Sequence, residues 1–289
     1  MVRQYLMKGL RFGQFYSPED SDVFARVARR AAAQLPAGPI LDLGCGSGIP
    51  TIHACGRRHW GVGIDTDANA LELARANALA ASRRNVVFIE ADMMNARGRF
   101  ALVMSNPPYI PCDMAAKGDP ALEVGGDGTG VIKQILATYR SWADDFVIHF
   151  ASITHPQEVF RVADECRLAV VSMELTVARF GAYTSAPNRL AYLLKCKSAG
   201  TAFFHEEPPI RAAAAPTYNQ LLITVHYSGD GRRSRNRGAQ VRAAKALRGV
   251  MERFQASGVR TLVECPAILK GRVGVSVYKP TVAARGTLC

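Results

Sequence analysis

Short apolar runs alternate along the chain with longer stretches whose apolar residues return every three or four positions, the periods of buried strands and amphipathic helices. The run "ILDL" at 40–43 predicts a buried strand that enters the glycine-rich turn "GCGSG". "HWGVGIDTD" predicts a second strand ending near Asp65, and "DANALELARANALAAS" a helix of the strong helix formers Ala, Leu and Glu. "NVVFIEADMM" and "RFALVMSNPPY" predict the third and fourth strands. The helix "VIKQILATYRSWA", the strand "DDFVIHFASI" and the helix "PQEVFRVADEC" follow, then a sixth strand in "LAVVSMELTVARF" and a seventh in "TYNQLLITVHYS". Strands alternating with helices imply right-handed crossovers, so the expected fold is α/β, a seven-stranded and mostly parallel sheet with helices on both faces.

Two regions depart from this alternation. Between 181 and 216, an insertion or lid, "SAPNRLAYLLKCKSAG" reads as a helix with Pro187 in its first turn and Gly200 after its end, or equally as an extra strand. After Ser228 the linker-like "GDGRRSRNRG" precedes "AQVRAAKALRGVMERFQAS", where Val241, Ala244, Leu247, Met251 and Phe254 form one apolar stripe and Arg242, Lys245 and Arg253 lie off it. "RTLVECPAI" and "RVGVSVYK" then predict two strands, and "AARGTLC" a frayed end. The expected organisation is a main domain over 1–228 and a basic α+β extension over 229–289.

Composition sharpens this picture at three points. The 289 residues suffice for one large domain, or one domain with an extension, around a sizeable core. No apolar run is long enough for a membrane span, the N-terminus lacks a signal-peptide pattern, and the seven cysteines form no CxxC pair, so the expectation is a cytoplasmic protein with reduced thiols. The net charge of +12 is concentrated: residues 229–289 hold 13 Lys plus Arg against Asp230, Glu252 and Glu264. Such a segment draws in nucleic acid or another acidic partner, or is simply a solvated surface.

The candidate chemistry sits at strand ends. Gly44, Gly46 and Gly48 in "DLGCGSG" let the backbone turn sharply and let a ligand approach the main chain. A dinucleotide fingerprint would read GxGxxG, but position 49 is Ile. Asp42 precedes the turn, Asp65 ends the second strand where a carboxylate can accept two ribose hydroxyls, and Asp92 ends the third, placed to accept from an adenine amino group. Each Asp read alone is a helix cap.

The fourth strand ends in "SNPPY". Each proline fixes its own φ, restricts the residue before it to extended conformations and ends the ladder. Asn106 offers a side-chain carbonyl and Pro107 a backbone carbonyl at this stiff tip. An amide or aromatic amino nitrogen is a poor nucleophile because its lone pair is delocalised. Two acceptors aimed at its N–H bonds orient it and favour a more pyramidal nitrogen. Tyr109 can stack on the flat face of such a target. Read without the glycine turn, the same four residues are only a proline-rich strand terminator.

Together these features resemble the S-adenosylmethionine site of class I methyltransferases, whose sheet is Rossmann-like. "NPPY" after a GxGxG turn is similar to the signature of N6-adenine methyltransferases and of release-factor glutamine methyltransferases. "DPALEVGGDGTG" and "FYSPEDSD" look more like the glutamine enzymes, and the resemblance covers about residues 5–178. It implies that Asp42, Gly44, Gly46, Gly48, Asp65, Asp92 and Met93 hold the cofactor, and that Asn106, Pro107 and Tyr109 hold the target nitrogen. The sequence departs from the family in three places. The stretch before the match is too short for the helical domain with which bacterial-type members grip the release factor. The "PRPETE" form becomes "SPEDSD", and the region after Phe180 has no family counterpart.

The sequence therefore implies an N-methyltransferase whose substrate is a protein glutamine, an adenine in nucleic acid or a small metabolite. The competing class is a non-catalytic nucleic-acid-binding module on the same scaffold. "FHEEPP", with His205, Glu206 and Glu207, reads against a metal site, because adjacent side chains rarely converge on one ion and no second cluster is visible. Cys45 reads as a small filler in the turn, and Trp60 and Trp142 as core or edge aromatics.

Overall fold

The computed structural model describes residues 18–113, 120–209, 216–229, 237–258 and 274–278. Helix α1 (Pro18–Ala33) leads into β1 (Pro39–Leu43), α2 (Ile49–Cys55), β2 (Trp60–Asp65), α3 (Ala68–Ala80), β3 (Val86–Glu90) and β4 (Leu102–Ser105). The short pair β5 (Ile110–Cys112) and β6 (Glu123–Gly125) precedes α4 (Gly130–Tyr139), β7 (Asp145–Ala151), α5 (Pro156–Glu165) and β8 (Ala169–Arg179). Helix α6 (Pro187–Ser198), β9 (Phe204–Glu207), β10 (Thr217–Ser228), α7 (Arg237–Ser257) and β11 (Gly274–Tyr278) complete the described chain.

The main sheet has the order β3-β2-β1-β4-β7-β10-β8-β11, with β9 paired to β10. Strands β1 to β4 and β7 run parallel, whereas β10 is antiparallel to both β7 and β8. The order reverses at β1, so β1 and β4 diverge at their carboxyl ends and leave a crevice for a ligand. This is the Rossmann-like sheet expected from the alternation, with nine described strands instead of seven and with β10 inserted antiparallel between β7 and β8. The inner strands are buried on both faces and read as continuous apolar runs for that reason, as in "LVMS" of β4 and "DFVIHFA" of β7.

Both readings of 181–216 are realised, one after the other. The helix forms at Pro187–Ser198, and a strand forms at Phe204–Glu207. Strand β10 pairs with β7 from Leu222 onward and with β9 over Thr217–Gln220, so β9 continues the column of β7 beyond its end. Residues 210–215 lie outside the described part.

Helix α1 was not singled out by the sequence pattern, yet it supports the site. Its Phe24, Val27, Ala28 and Ala31 are buried at helical spacing against β1, β4 and β7. Its other face is tied to β8, where Arg26 and Arg30 both pair with Glu174, a carboxylate only 2% exposed. A buried carboxylate needs such partners, because leaving it unpaired in a low-dielectric interior costs several kcal/mol.

The extension is continuous with the core where it is described. Leu247, Met251 and Phe254 of the expected stripe are buried in the same cluster as Leu41 and Phe146, and Lys245 is exposed. His205 donates from Nδ1 to the Gln255 carbonyl at 3.1 Å and so ties β9 to α7. The second predicted strand is β11, parallel to β8. "RTLVECPAI", residues 230–236 of the linker, the frayed end and the side chains of Val241 and Arg242 lie outside the described residues. Trp60 is 53% exposed at the start of β2, near the β3 edge, and Trp142 packs against the core under the Arg97 guanidinium.

If α7 is part of the core, Leu247→Ala will lower unfolding free energy by about 2–5 kcal/mol. Urea denaturation measures this. A change within about 0.5 kcal/mol, the range of surface substitutions, would mean that the helix is only laid on the surface.

Candidate functional site

The carboxyl ends of β1, β2 and β4 carry the glycine turn, Asp65 and "NPPY". Two backbone bonds bind the turn to β2: Gly44 N–H and Cys45 N–H both donate to the Ile64 carbonyl, at 2.8 and 2.9 Å. The Ser105 hydroxyl donates to the Leu43 carbonyl at 2.7 Å and so joins the tips of β4 and β1. Gly46 N–H donates to Asp65 Oδ2 at 2.8 Å, and Asp67 N–H to Asp65 Oδ1 at 3.0 Å. The two sequence features are thus physically one loop system.

A cavity of about 420 Å³ opens between them, lined by Ser21, Asp42, Gly44, Gly46, Asp65, Met93, Asn106 and Pro108 among others. Its residues fit the implied cofactor. Gly44 and Gly46 hold φ of 71° and 49°. A Cβ on Gly46 would meet no protein atom within 4 Å, so a side chain there would take up ligand space. Asp65 lies at the end of β2 with acceptor capacity left for hydroxyls. Asp42 is 1% exposed, with Oδ2 accepting from the Thr51 hydroxyl at 2.5 Å and Oδ1 buried without a partner. Burial pushes its pKa up to about 7 against the Thr51 hydrogen bond, and the charge of Asp65 adds to the rise. An ammonium or other donor group of a ligand would satisfy Oδ1.

"NPPY" is held from the opposite side by α1. Asp20, in the first turn, accepts from Asn106 Nδ2 at 3.1 Å and from the Tyr109 hydroxyl at 3.0 Å. His149 Nε2 lies 2.5 Å from Asp20 Oδ1, and its Nδ1 is 2.7 Å from the Thr224 hydroxyl. Burial alone would raise the pKa of Asp20, but the neighbouring His149 and the hydrogen bonds from Tyr109 and Asn106 hold it below its ordinary value. Burial, then the Asp20 charge, pushes the Tyr109 hydroxyl well above its ordinary range, so it stays a donor. With Nδ2 of Asn106 engaged, Oδ1 remains buried and unpartnered.

Among the expected residues, Asp42, Gly44, Gly46, Asp65, Met93 and Asn106 come together around the cavity. Gly48, Asp92, Pro107 and Tyr109 are not among its lining residues. Gly48 has φ of 70° and would bring a Cβ within 2.6 Å of the Phe88 ring, so close packing explains that glycine. Asp92 is exposed and caps a short 3-10 turn by accepting from Met94 N–H at 2.8 Å. Pro107 is buried. The Tyr109 ring lies 6.3 Å from that of His149, and its carbonyl accepts from the Thr154 hydroxyl at 2.8 Å. Its ring is braced by Asp20 and His149 instead of lining the cavity as a stacking platform.

Cys45 is buried with its thiol pKa raised, first by burial and then by Asp42 and Asp65, which suits a filler and not a nucleophile. Asp20, Ser21, Thr51 and His149 were missed as site residues. "SPEDSD" carried a signal for Asp20 and Ser21 through its likeness to a family stretch, but a single His in an apolar strand carries none.

Residues 15–118 match the family model described as the methyltransferase small domain. Among curated proteins, the chain is similar to the release factor glutamine methyltransferases of Yersinia pestis, 42% identical over 34% of this chain and 36% of that protein, and of Agrobacterium fabrum, 32% identical over 43% and 45%. It is also 34% identical to a Methanocaldococcus jannaschii protein provisionally named protein N5-glutamine methyltransferase, over 34% of this chain and 50% of that one. The chain thus spans from about a third to half the length of these relatives. Solved structures superpose loosely. The ribosomal protein L11 methylase of Lactobacillus delbrueckii subsp. bulgaricus is 12% identical over 70% of this chain and 77% of that one, with a TM-score of 0.40.

Two outcomes follow from the local physics. Gly48→Ala adds a clash to a left-handed backbone and should destabilise by roughly 1–3 kcal/mol from the backbone alone. Shortening the opposing ring in Gly48→Ala/Phe88→Leu should relieve only the part of the clash made with Phe88, since the Ala74 Cβ would still lie 2.8 Å away, as read by urea midpoints. Equal midpoints for wild type and Gly48→Ala would contradict this packing. The raised pKa of Asp42 means that the unfolded chain loses this proton before the folded one. Its contribution to stability is therefore full below about pH 4 and lost as pH rises to about 7, and Asp42→Asn should flatten this part of the ligand-free stability profile. An unchanged profile would refute the raised pKa.

Proposed function

We propose that the chain transfers a methyl group from S-adenosylmethionine to the side-chain amide nitrogen of a glutamine in a protein substrate. The observation that carries this reading is Asn106 Oδ1, a buried acceptor without a partner on a residue that lines the same cavity as Asp42 and Asp65. The methyltransferase small-domain match and the glutamine methyltransferases among the relatives support the reaction class.

When bound, S-adenosylmethionine supplies an electrophilic methyl group on a sulfonium sulfur. Asp42 Oδ1 is the acceptor for its ammonium, Asp65 for its ribose hydroxyls, and Gly44 and Gly46 keep side chains out of its space. Met93 lines the same wall, with Asp92 one position before it. Asn106 Oδ1 accepts one N–H of the target amide, and the Pro107 carbonyl is assigned the other. The amide is thereby oriented before reaction and its lone pair is left available, a gain of preorganised electrostatics that costs no reorganisation at the moment of transfer. The same acceptors suit the amino group of adenine, and the cell-lysate test below separates the two. Leu247, Met251 and Phe254 of α7 are buried in the main core, which favours a structural extension over a nucleic-acid surface.

Asn106→Ala should lower turnover by roughly 10²–10³ and leave cofactor affinity nearly unchanged, as when one positioned polar group is lost at a transition state. Asp65→Ala should weaken cofactor binding at least tenfold, because each charge-assisted hydrogen bond contributes about 1.5–3 kcal/mol. Calorimetry and transfer of tritiated methyl groups into a fractionated cell lysate read both. Label in the nucleic-acid or small-molecule fraction instead of protein would overturn the glutamine assignment, and wild-type turnover in Asn106→Ala would overturn the acceptor assignment.

A further inference from the structure

We infer that Asp20 is a positioning residue that fixes which end of the Asn106 amide meets the substrate, and so restricts the site to accepting groups that carry N–H donors. The inference rests on the methyl-transfer reading for its consequence, but its structural core does not.

An asparagine side chain can present a carbonyl or an NH₂ group to the same point in space, and its two orientations differ only in their hydrogen bonds. If Asn106 turned Nδ2 to the substrate, two sets of donors would face each other. Asp20 removes this option. Its pKa is held below the ordinary carboxylate value, so it is ionised and accepts only, and it is half-buried among side-chain donors that it can bond. Asn106 Nδ2 supplies one bond at 3.1 Å and the Tyr109 hydroxyl another at 3.0 Å. His149 Nε2 supports Oδ1 at 2.5 Å, while Thr224 holds the other ring nitrogen at 2.7 Å. Reversing the Asn106 amide would set Oδ1 against a carboxylate, two acceptors in a buried place. The carboxylate itself cannot drift, because Phe24, Val27 and Ala28 are buried behind it and Arg26 and Arg30 hold α1 to Glu174.

A hydroxyl or thiol target has at most one proton to offer, and a carbonyl or carboxylate none. A primary amide or amino group has two. The latch thus converts an ambivalent side chain into a fixed acceptor.

The test is a cycle of variants with two readouts. In the full-length protein, Asp20→Asn keeps the size of the side chain but can itself donate, so the Asn106 amide is freed to reverse. We expect turnover to fall by roughly 10–10²-fold, as for a small misplacement of a reacting group, with cofactor affinity within about twofold of wild type. Because Asp20 acts through Asn106, Asp20→Asn/Asn106→Ala should be no slower than Asn106→Ala alone. Independent losses that multiply in the double variant would overturn the inference, and so would a parallel loss of cofactor affinity in Asp20→Asn.

The second readout needs no substrate. The side-chain amide signals that vanish in Asn106→Ala identify Asn106 in a ¹⁵N NMR spectrum. They should move in Asp20→Asn and stay near their places in Tyr109→Phe, which removes only the neighbouring donor. Unmoved Asn106 signals in folded Asp20→Asn overturn the latch whatever the activity. Moved signals in a protein that methylates no amide would retain the latch and reject the proposed reaction.

Discussion

The carboxylate of Asp20 is the point on which the site's geometry depends. It is half-buried and charged, accepts from Asn106 and Tyr109 at β4's tip, and lies against His149 of β7, whose other ring nitrogen meets Thr224 of β10. A charge in such a place is stable only if its donors stay in reach, so it holds the start of α1, the "NPPY" tip and the central strand in one arrangement. The apolar face of α1 and its two arginines on Glu174 keep the carboxylate where those donors are. The fold then supplies the other half, since the strand order reverses at β1 and opens a crevice next to that tip.

Two unsatisfied oxygens give the crevice its chemical character. Asp42 Oδ1 and Asn106 Oδ1 are buried acceptors without partners on residues of one cavity. Such groups are costly in a ligand-free protein and become favourable when a ligand brings N–H donors to them. Asp42 bears its burial cost through a raised pKa, whereas at Asp20 the same cost is offset by His149, Tyr109 and Asn106. The two aspartates show how environment divides a single residue type into one with an open acceptor and one whose acceptors are filled from within the chain.

Much of this was legible in the sequence because it depends on short-range rules. Strands buried on both faces leave uninterrupted apolar runs, and a turn with positive φ leaves glycines, so β1 to β4, β7 and the turn could be placed from letters alone. The latch could not. Asp20 and Asn106 are 86 residues apart, and an Asp near the start of a helix is ordinarily read as a cap. His149 sits in an apolar run whose pattern says only that it is buried. The packing demand at Gly48 was not legible either, because Phe88 comes from β3 and the sequence does not say which ring will face which glycine. The helix–strand ambiguity of 181–216 had a similar origin, since α6 and β9 are both short and are fixed by what they pack on.

The central claim is that the site offers paired acceptors to a group with two N–H donors. Mass-spectrometric location of the transferred methyl group on the modified molecule tests it most directly. The account predicts the methyl on a side-chain amide nitrogen of glutamine, with the amide oxygen unmodified. A methyl group on a hydroxyl, thiol or carboxylate oxygen, none of which can donate two N–H bonds, would contradict it.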